Sequence, residues 1–357
     1  TIGLHELNPD GTPKTAADGK TIDTYGNDDV TGIARVFTGF SWAGPDRSDN
    51  RFNGGGSPSF PDRDITPMQA YPQFHSDQPK TFLGITCPGG VMPNVSLKCA
   101  LDRLFTHPNT GPFFARQLIQ RLVTSNPSPA YVGRVAAAFA DNGDGVRGDL
   151  KAVLRALLLD PEARFAPAAG DAVYGKPREP LLRMTALLRA VGASSRSGQF
   201  RVGNTDDPVN SLGQTAMRSP SVFNFWRPGY TPPNSELAAQ GLVAPELQAA
   251  NETTVAGYLN MMQSVVQSGI GNDSPRDVQP DYEGLKAIAH DPDALLNRIE
   301  LLLTSGKLRV ETRTRIKDVV NSITIPLAAT PADNARRDRV RVALFLTVAS
   351  PEFLTQK

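Results

Sequence analysis

Apolar positions along this chain recur at three- and four-residue spacing over two stretches, roughly 96–193 and 252–349, and almost nowhere else. That period is the mark of amphipathic helices. In the first stretch it predicts five of them: SLKCALDRLFTH, ending at His107-Pro108; NTGPFFARQLIQRLVTS, with Phe113, Phe114, Leu118, Ile119 and Leu122 as its apolar set; PSPAYVGRVAAAFAD; GDLKAVLRALLLDPEAR; and EPLLRMTALLRAVGA. In the second, helices are expected at about 252–268, 282–289, 292–304, 309–321 and 333–349. An earlier helix is expected in NDDVTGIARVFTGF, with Asp28 as N-cap and Val30, Ile33, Ala34 and Phe37 on one face. The opening TIGLHEL reads as an apolar, helix-like run with no cap before it. Residues 41–95 and 194–250 are polar and rich in Gly and Pro, with little periodicity. The expected architecture is mainly α: an irregular multi-helix bundle with two long Gly/Pro-rich loop regions and little β. We read residues 1–357 as one helical domain in four stretches: a loop-rich entry with one helix (1–95), a helical core (96–193), an aromatic-rich loop region (194–250) and C-terminal helices (251–357).

Composition narrows this in a few ways. Thirty-seven basic residues against 36 acidic ones give a net charge of +1, so no global field favours nucleic acid or an anionic membrane. Both 31 Gly and 30 Pro exceed average usage, which points to ordered loops. No apolar run approaches the ~20 residues of a membrane span, and no signal peptide is visible. Cys87 and Cys99 are the only cysteines. Twelve positions apart around a Pro/Gly-rich turn, they suit a disulfide that pins the loop, the alternative being two free thiols. The uncapped start suggests that Thr1 is a cut end, so that a targeting signal could have preceded it.

The run AFADNGDGVRGDLKAV has the clustered acids and glycines of a calcium loop. An EF-hand loop wants oxygen ligands at positions 1, 3, 5 and 12 and Gly at 6. Placing Gly145 at 6 puts Asn142 at 3 and Asp144 at 5, but Ala140 at 1 and Lys151 at 12. A helix–turn–helix connection fits better: Asn142-Gly143 ends one helix, and Gly148 or Asp149 starts the next with a carboxylate at its positive end. Calcium on Asn142, Asp144 and Asp149 is kept as the lesser alternative.

The segments TIGLHELNPDGTP, DDVTGIARVFTGFSW, HSDQPKTFLG, ALDRLFTHPNTGPFFARQLIQRLVTSNPSPAYVGRVAAAF, NGDGVRGDLKAVLRALLLDPEAR, SPSVFNFWRPGYTPPN and ASPEFLTQK together resemble the bacterial domain of unknown function 1800 family, over residues 1–357. In that family the first motif sits mid-protein, so the resemblance implies the C-terminal portion of a longer precursor. If processing made Thr1, the N-terminal portion is expected to stay associated as a separate chain, because a truncated apolar helix would otherwise leave an exposed patch. It also implies a secreted, periplasmic or cell-envelope setting and, as gene neighbour and potential partner, a sulfatase-like protein of the unknown-function 1501 family. It implies no reaction.

Within those motifs the reactive side chains are His5, Glu6, His75, Asp77, Lys80, His107 and Arg116. A pocket combining His75, Glu6 and Lys80 could do general acid/base work, and His5, His75 and a carboxylate could hold a metal. No i,i+4 His pair and no HExxH accompanies them. The plainer roles are bracing for His5 and Glu6, and loop hydrogen bonding for His75. His107, at a helix end, would complement the helix dipole as a cation. Arg116 is expected to pair with a buried carboxylate. SVFNFWRPGY brings Phe223, Phe225, Trp226 and Tyr230 beside Arg227; these could stack on a sugar or an aromatic ligand, or plug the groove between helices. FNGGGSPSF lacks the Lys-Ser/Thr and helix of a phosphate loop, and GxSxG and CxxCH motifs are absent. Thr1 could act as an N-terminal nucleophile, though the resemblance makes it internal. The preferred expectation is a binding or scaffolding protein for a partner protein or glycan; the rival is an enzyme using His75, Glu6 and Lys80, with or without a metal.

Overall fold

The computed structural model describes residues 2–165, 171 and 173–356. Thr1, and with it both readings of the first residue, lies outside them. Helices dominate, and the strands form only two-stranded antiparallel pairs. The contacts group the chain into two compact units: Thr1–Ile119 with Pro127–Ala166, and Gln120–Asn126 with Pro167–Lys357.

In the first unit α1 (Asn27–Val36) packs on a short hairpin of β3 (Lys80–Phe82) and β4 (Ile85–Cys87). The approach is close because Gly32 has no side chain: a Cβ there would lie 1.9 Å from the Thr81 carbonyl oxygen. The hairpin turn uses Leu83 and Gly84, both at positive φ (47° and 74°), the geometry of a two-residue turn with the native strand twist. Leucine is a poor residue for that region. Two side chains hold it there: Asp29 Oδ1 accepts from the Leu83 N–H (2.6 Å), and Arg103 Nε donates to the Leu83 carbonyl (2.8 Å). α3 (Pro93–Thr106) closes this layer, and Ile2, Val36, Phe82, Leu83, Cys87 and Ala100 form its core. β1 (Phe40–Ser41) pairs with β2 (Gln69–Ala70), and α2 (Asp49–Phe52) lies between them in sequence. The glycine-rich loop wraps the buried Arg51, whose guanidinium donates to Asp46 and to the Pro58 carbonyl.

α4 (Thr110–Leu122) begins in the first unit and ends in the second. α5 (Pro129–Ala140) and α6 (Leu150–Leu159) pack through Tyr131, Val135, Phe139, Val153 and Leu157. The helix expected over 148–164 is broken at Asp160-Pro161. Asp160 caps a separate turn, α7 (Pro161–Arg164), and takes a two-pronged ion pair from Arg134 at 2.7 and 2.9 Å.

The second unit holds α8 (Pro180–Ala190), α9 (Glu236–Ala239), α10 (Glu252–Ser268), α11 (Glu283–Ile288), α12 (Pro292–Thr304), α13 (Val310–Ser322), α14 (Ala329–Val348) and α15 (Pro351–Leu354). β5 (Lys176–Pro177) pairs with β8 (Thr355–Gln356), and β6 (Ser194–Ser195) with β7 (Val278–Gln279). Asn251 and Asp291 cap α10 and α12 through their side chains. The core is continuous across these helices, from Met184 and Leu187 through Met262, Leu295 and Ile299 to Leu344 and Phe353.

Three expectations near the N-terminus are corrected. Residues 2–7 of the opening run form no helix. Residues 4–24 fold back on themselves through backbone hydrogen bonds (Glu6 N–H to Ile22 O, Lys14 N–H to Glu6 O, Thr24 N–H to Leu4 O). The buried Asn109 amide ties the segment down, donating to the carbonyls of Ile2 and His5 and to Thr24 Oγ1 and accepting from the Leu7 N–H. A truncated apolar helix needing cover is therefore not there. The α1 cap position is Gly26, not Asp28; Asp29 supplies the carboxylate, accepting from the Gly26 N–H at 2.8 Å. The buried face of α1 is Gly32 and Val36, while Val30 and Phe37 are exposed. Backbone approach at a glycine, rather than apolar bulk, chooses the face.

Candidate functional site

The sequence-derived candidates fall into separate local sets. His5 Nδ1 lies 3.2 Å from Asp23 Oδ1, and Glu6 Oε2 accepts from Lys14 Nζ at 3.1 Å. Both pairs are on the folded-back opening segment and are largely exposed, which limits each to a fraction of ~1 kcal/mol. Among the described residues no hydrogen bond or ion pair joins them to His75 or Lys80.

His75 and Lys80 share a neighbourhood in the first unit. His75 Nδ1 is 2.9 Å from the Thr38 carbonyl oxygen, which can only accept, so Nδ1 carries the ring proton. Nε2 lies 2.9 Å from Ser96 Oγ, and in the neutral ring it is the acceptor of that hydroxyl. Ser96 is completely buried in α3. Lys80, also completely buried, donates from Nζ to the Ser76 carbonyl at 2.7 Å. Burial pushes its ammonium pKa down, and Asp77 opposes that shift. Asp77 itself is exposed and accepts from Gln78 Nε2. The sequence reading did not single out Ser96 or Thr38, because nothing in SLKCALDRL marks a serine that faces a histidine twenty-one positions earlier. Cys87 and Cys99 form a disulfide with Cα atoms 6.2 Å apart, tying β4 to α3.

His107 sits at the end of α3, as expected, but not as a cation. Burial lowers its pKa, with Arg103 adding to the effect. Its Nδ1 accepts from the Asn109 N–H at 3.2 Å. Arg116 has no carboxylate partner among the described residues and is exposed, so the buried ion pair expected for it is absent. In the 141–149 connection, Asp141 Oδ1 accepts from the Gly143 and Gly145 N–H groups and Asn142 Oδ1 from those of Asp144 and Val146. Asp149 caps α6 through Lys151 and Ala152 and accepts from Asn142 Nδ2. Most of the oxygens considered for calcium are thus engaged in turning the chain.

In the second unit, Trp226 is buried with the Arg121 guanidinium 4.7 Å from its ring centroid. Arg227 is exposed, its N–H bound to Gln248 Oε1, and Tyr230 is half-buried. Close to this segment lies a concave site that the sequence reading missed. It is a cavity of ≈ 420 Å³ lined by Ser125, Lys176, Arg183, Leu237, Leu242, Val243, Ala244, Leu247, Ala250, Val255 and Leu354, among others. The lining is mainly apolar with a few polar groups, the usual make-up of a small-molecule pocket. Lys176 and Glu246 form an ion pair at 3.4 Å in which both side chains are almost fully buried, and Lys176 Nζ also donates to the Arg121 carbonyl at 2.6 Å. Burial raises the Glu246 pKa, and Lys176 pulls it back down. Arg183 is 6% exposed and is given no hydrogen bond or ion pair by any described side chain; its Nε has no partner. Its guanidinium faces the Tyr258 ring, with Cζ 5.0 Å from the centroid. Sequence does carry a signal here: Arg183 falls on the stripe of Pro180, Met184 and Leu187 that α8 buries, an odd place for a cation.

The family model for "Protein of unknown function (DUF1800)" matches residues 1–355. The chain belongs to that family. No curated protein and no solved structure matches it. For this DUF1800 protein, then, chemistry must be read from the site itself. Among the described residues, no helix is long and apolar enough to cross a membrane, and no three His, Cys, Asp or Glu side chains are grouped to hold a metal ion.

Proposed function

We propose that this DUF1800 protein works by binding, and that the cavity of the second unit is where it binds. The observation that carries the reading is a mainly apolar cavity of ≈ 420 Å³ with a buried, unpartnered cation in its wall. The separation of His5 and Glu6 from His75 and Lys80 supports it, since the pieces of the expected acid/base pocket are held by local partners. An apolar small molecule suits the lining better than a glycan, because the wall is mainly aliphatic, and Trp226, outside that wall, has the Arg121 guanidinium over its ring. The test is a melting curve with decanol and decanoate as apolar probes. Binding to the folded state raises the melting temperature with probe concentration, and Ala250→Trp, which fills the cavity, should abolish the shift. An unchanged shift in that variant would remove the cavity from the account.

A second reading, an enzyme, has one observation in its favour: the chain Ser96 Oγ to His75 Nε2, with Nδ1 on the Thr38 carbonyl, orders a hydroxyl and a base. The complete burial of Ser96 itself argues against it, although His75 is only half-buried. Covalent labelling of Ser96 by a fluorophosphonate would favour it. The extracytoplasmic setting is part of the proposal and is supported by the disulfide. The partners, an upstream portion of the same precursor and the sulfatase-like protein of the 1501 family, rest on the family resemblance; co-purification from the native source tests them.

A further inference from the structure

We infer that the ligand of this cavity carries a carboxylate on an apolar body and that Arg183 is the group that receives it. The inference rests on the binding proposal and deepens it. Two cations line the cavity, and they stand in opposite states. Lys176 is neutralised on the spot by Glu246 at 3.4 Å. Arg183 is not. Glu179, four positions earlier at the N-cap of α8, is the carboxylate best placed by spacing to pair with it. Its Oε2 instead accepts from Gln214 Nε2 at 2.6 Å, and the Gln214 carbonyl oxygen Oε1 accepts from the Leu181 N–H. The other nearby charge, Arg178, has the same sign as Arg183 and donates to the Leu303 carbonyl. An arginine keeps its proton at any ordinary pH. Left without a counter-charge at 6% exposure, its guanidinium is a cost to the fold. Tyr258 offsets only part of that by presenting its ring face.

The planar fork of a guanidinium matches a carboxylate, and the surrounding wall offers Leu242, Leu247, Val255 and Leu354 to an apolar body. Ser125, whose buried hydroxyl also lacks a partner, lines the same cavity and could take a further polar atom of the ligand. A polyanion fits less well, since Lys176 is already paired and, among the described lining residues, Arg183 is the one cation without a counter-charge. The carboxylate could belong to a free amphiphile or to the C-terminus of a peptide ending in an apolar residue; the chemistry at Arg183 is the same.

The test is a calorimetric titration of the full chain with four probes: decanoate, decanol, a short peptide ending in free Leu, and the same peptide amidated. Wild type and Arg183→Met are compared. A charge-assisted contact of this kind predicts that a carboxylate probe binds about 10- to 100-fold tighter than its neutral analogue, and that Arg183→Met erases the gap. Which pair shows the gap identifies the source. Decanol binding as tightly as decanoate, together with equal binding of both peptides, would overturn the carboxylate while leaving the cavity as a binding site. No binding by any probe would remove both. Without ligand, Arg183→Met should melt no lower than wild type, because it removes an uncompensated charge and keeps apolar bulk. A clearly lower melting temperature would contradict the inference, and Arg183→Gln separates loss of charge from altered packing.

Discussion

At the scale of single residues, two positions matter more than their chemistry suggests. Gly32 is required because the Thr81 carbonyl occupies the space of its missing side chain. The obstacle is backbone, which cannot swing aside, so Gly32→Ala should cost at least about 3 kcal/mol, read as a fall in the denaturant midpoint; a loss under about 0.5 kcal/mol would mean that α1 sits further from β3 than described. His107 is the second. Its folded pKa is lowered by burial, so the folded state resists a proton that the unfolded chain accepts. The contribution is complete above the unfolded value near 6.5 and is lost as pH falls from there through the depressed folded value. Stability should therefore decline on acidification from about pH 7 to pH 5, and His107→Asn should flatten that part of the profile. An unchanged slope in the variant would assign the decline to other groups.

At the scale of elements, what sequence could reveal follows from how local each signal is. The periodic helices from α3 onward were legible, with α10 and α12 at their expected limits, because an apolar stripe and a cap are written within a dozen residues. The disulfide was legible for the same reason, with two cysteines flanking one turn. The opening segment was misread because its partner, Asn109, is more than a hundred positions away. Asp160 likewise ends α6 early because Pro161 follows it and Arg134 of α5 holds its carboxylate. That pair allows a test. Asp160→Asn keeps the cap but gives up the charge opposite Arg134, and should cost about 1–3 kcal/mol; Arg134→Met should cost a similar amount, and the double variant less than the sum. Additive losses would mean that the two side chains do not act as a pair. Reducing the Cys87–Cys99 bond should cost about 2–4 kcal/mol, measured by unfolding with and without reductant.

At the scale of the whole molecule, the two candidate regions lie in different compact units, and they offer different things. The first unit holds an ordered His75–Ser96 arrangement, whose hydroxyl is buried, and the disulfide. The second holds the cavity with Arg183. The sequence reading looked for chemistry in the unusual residues, His5, His75, His107 and the aromatic cluster, and so passed over the second unit's arginine on a leucine-rich helix. A functional side chain of that kind is visible only when burial and the absence of a partner are both known. The most direct measurement is a crystal structure of the protein grown with decanoate. The account predicts the carboxylate within hydrogen-bond distance of the Arg183 guanidinium, with the alkyl chain along Leu242, Leu247 and Val255. Decanoate bound elsewhere, with the Arg183 guanidinium still unpartnered, would contradict it.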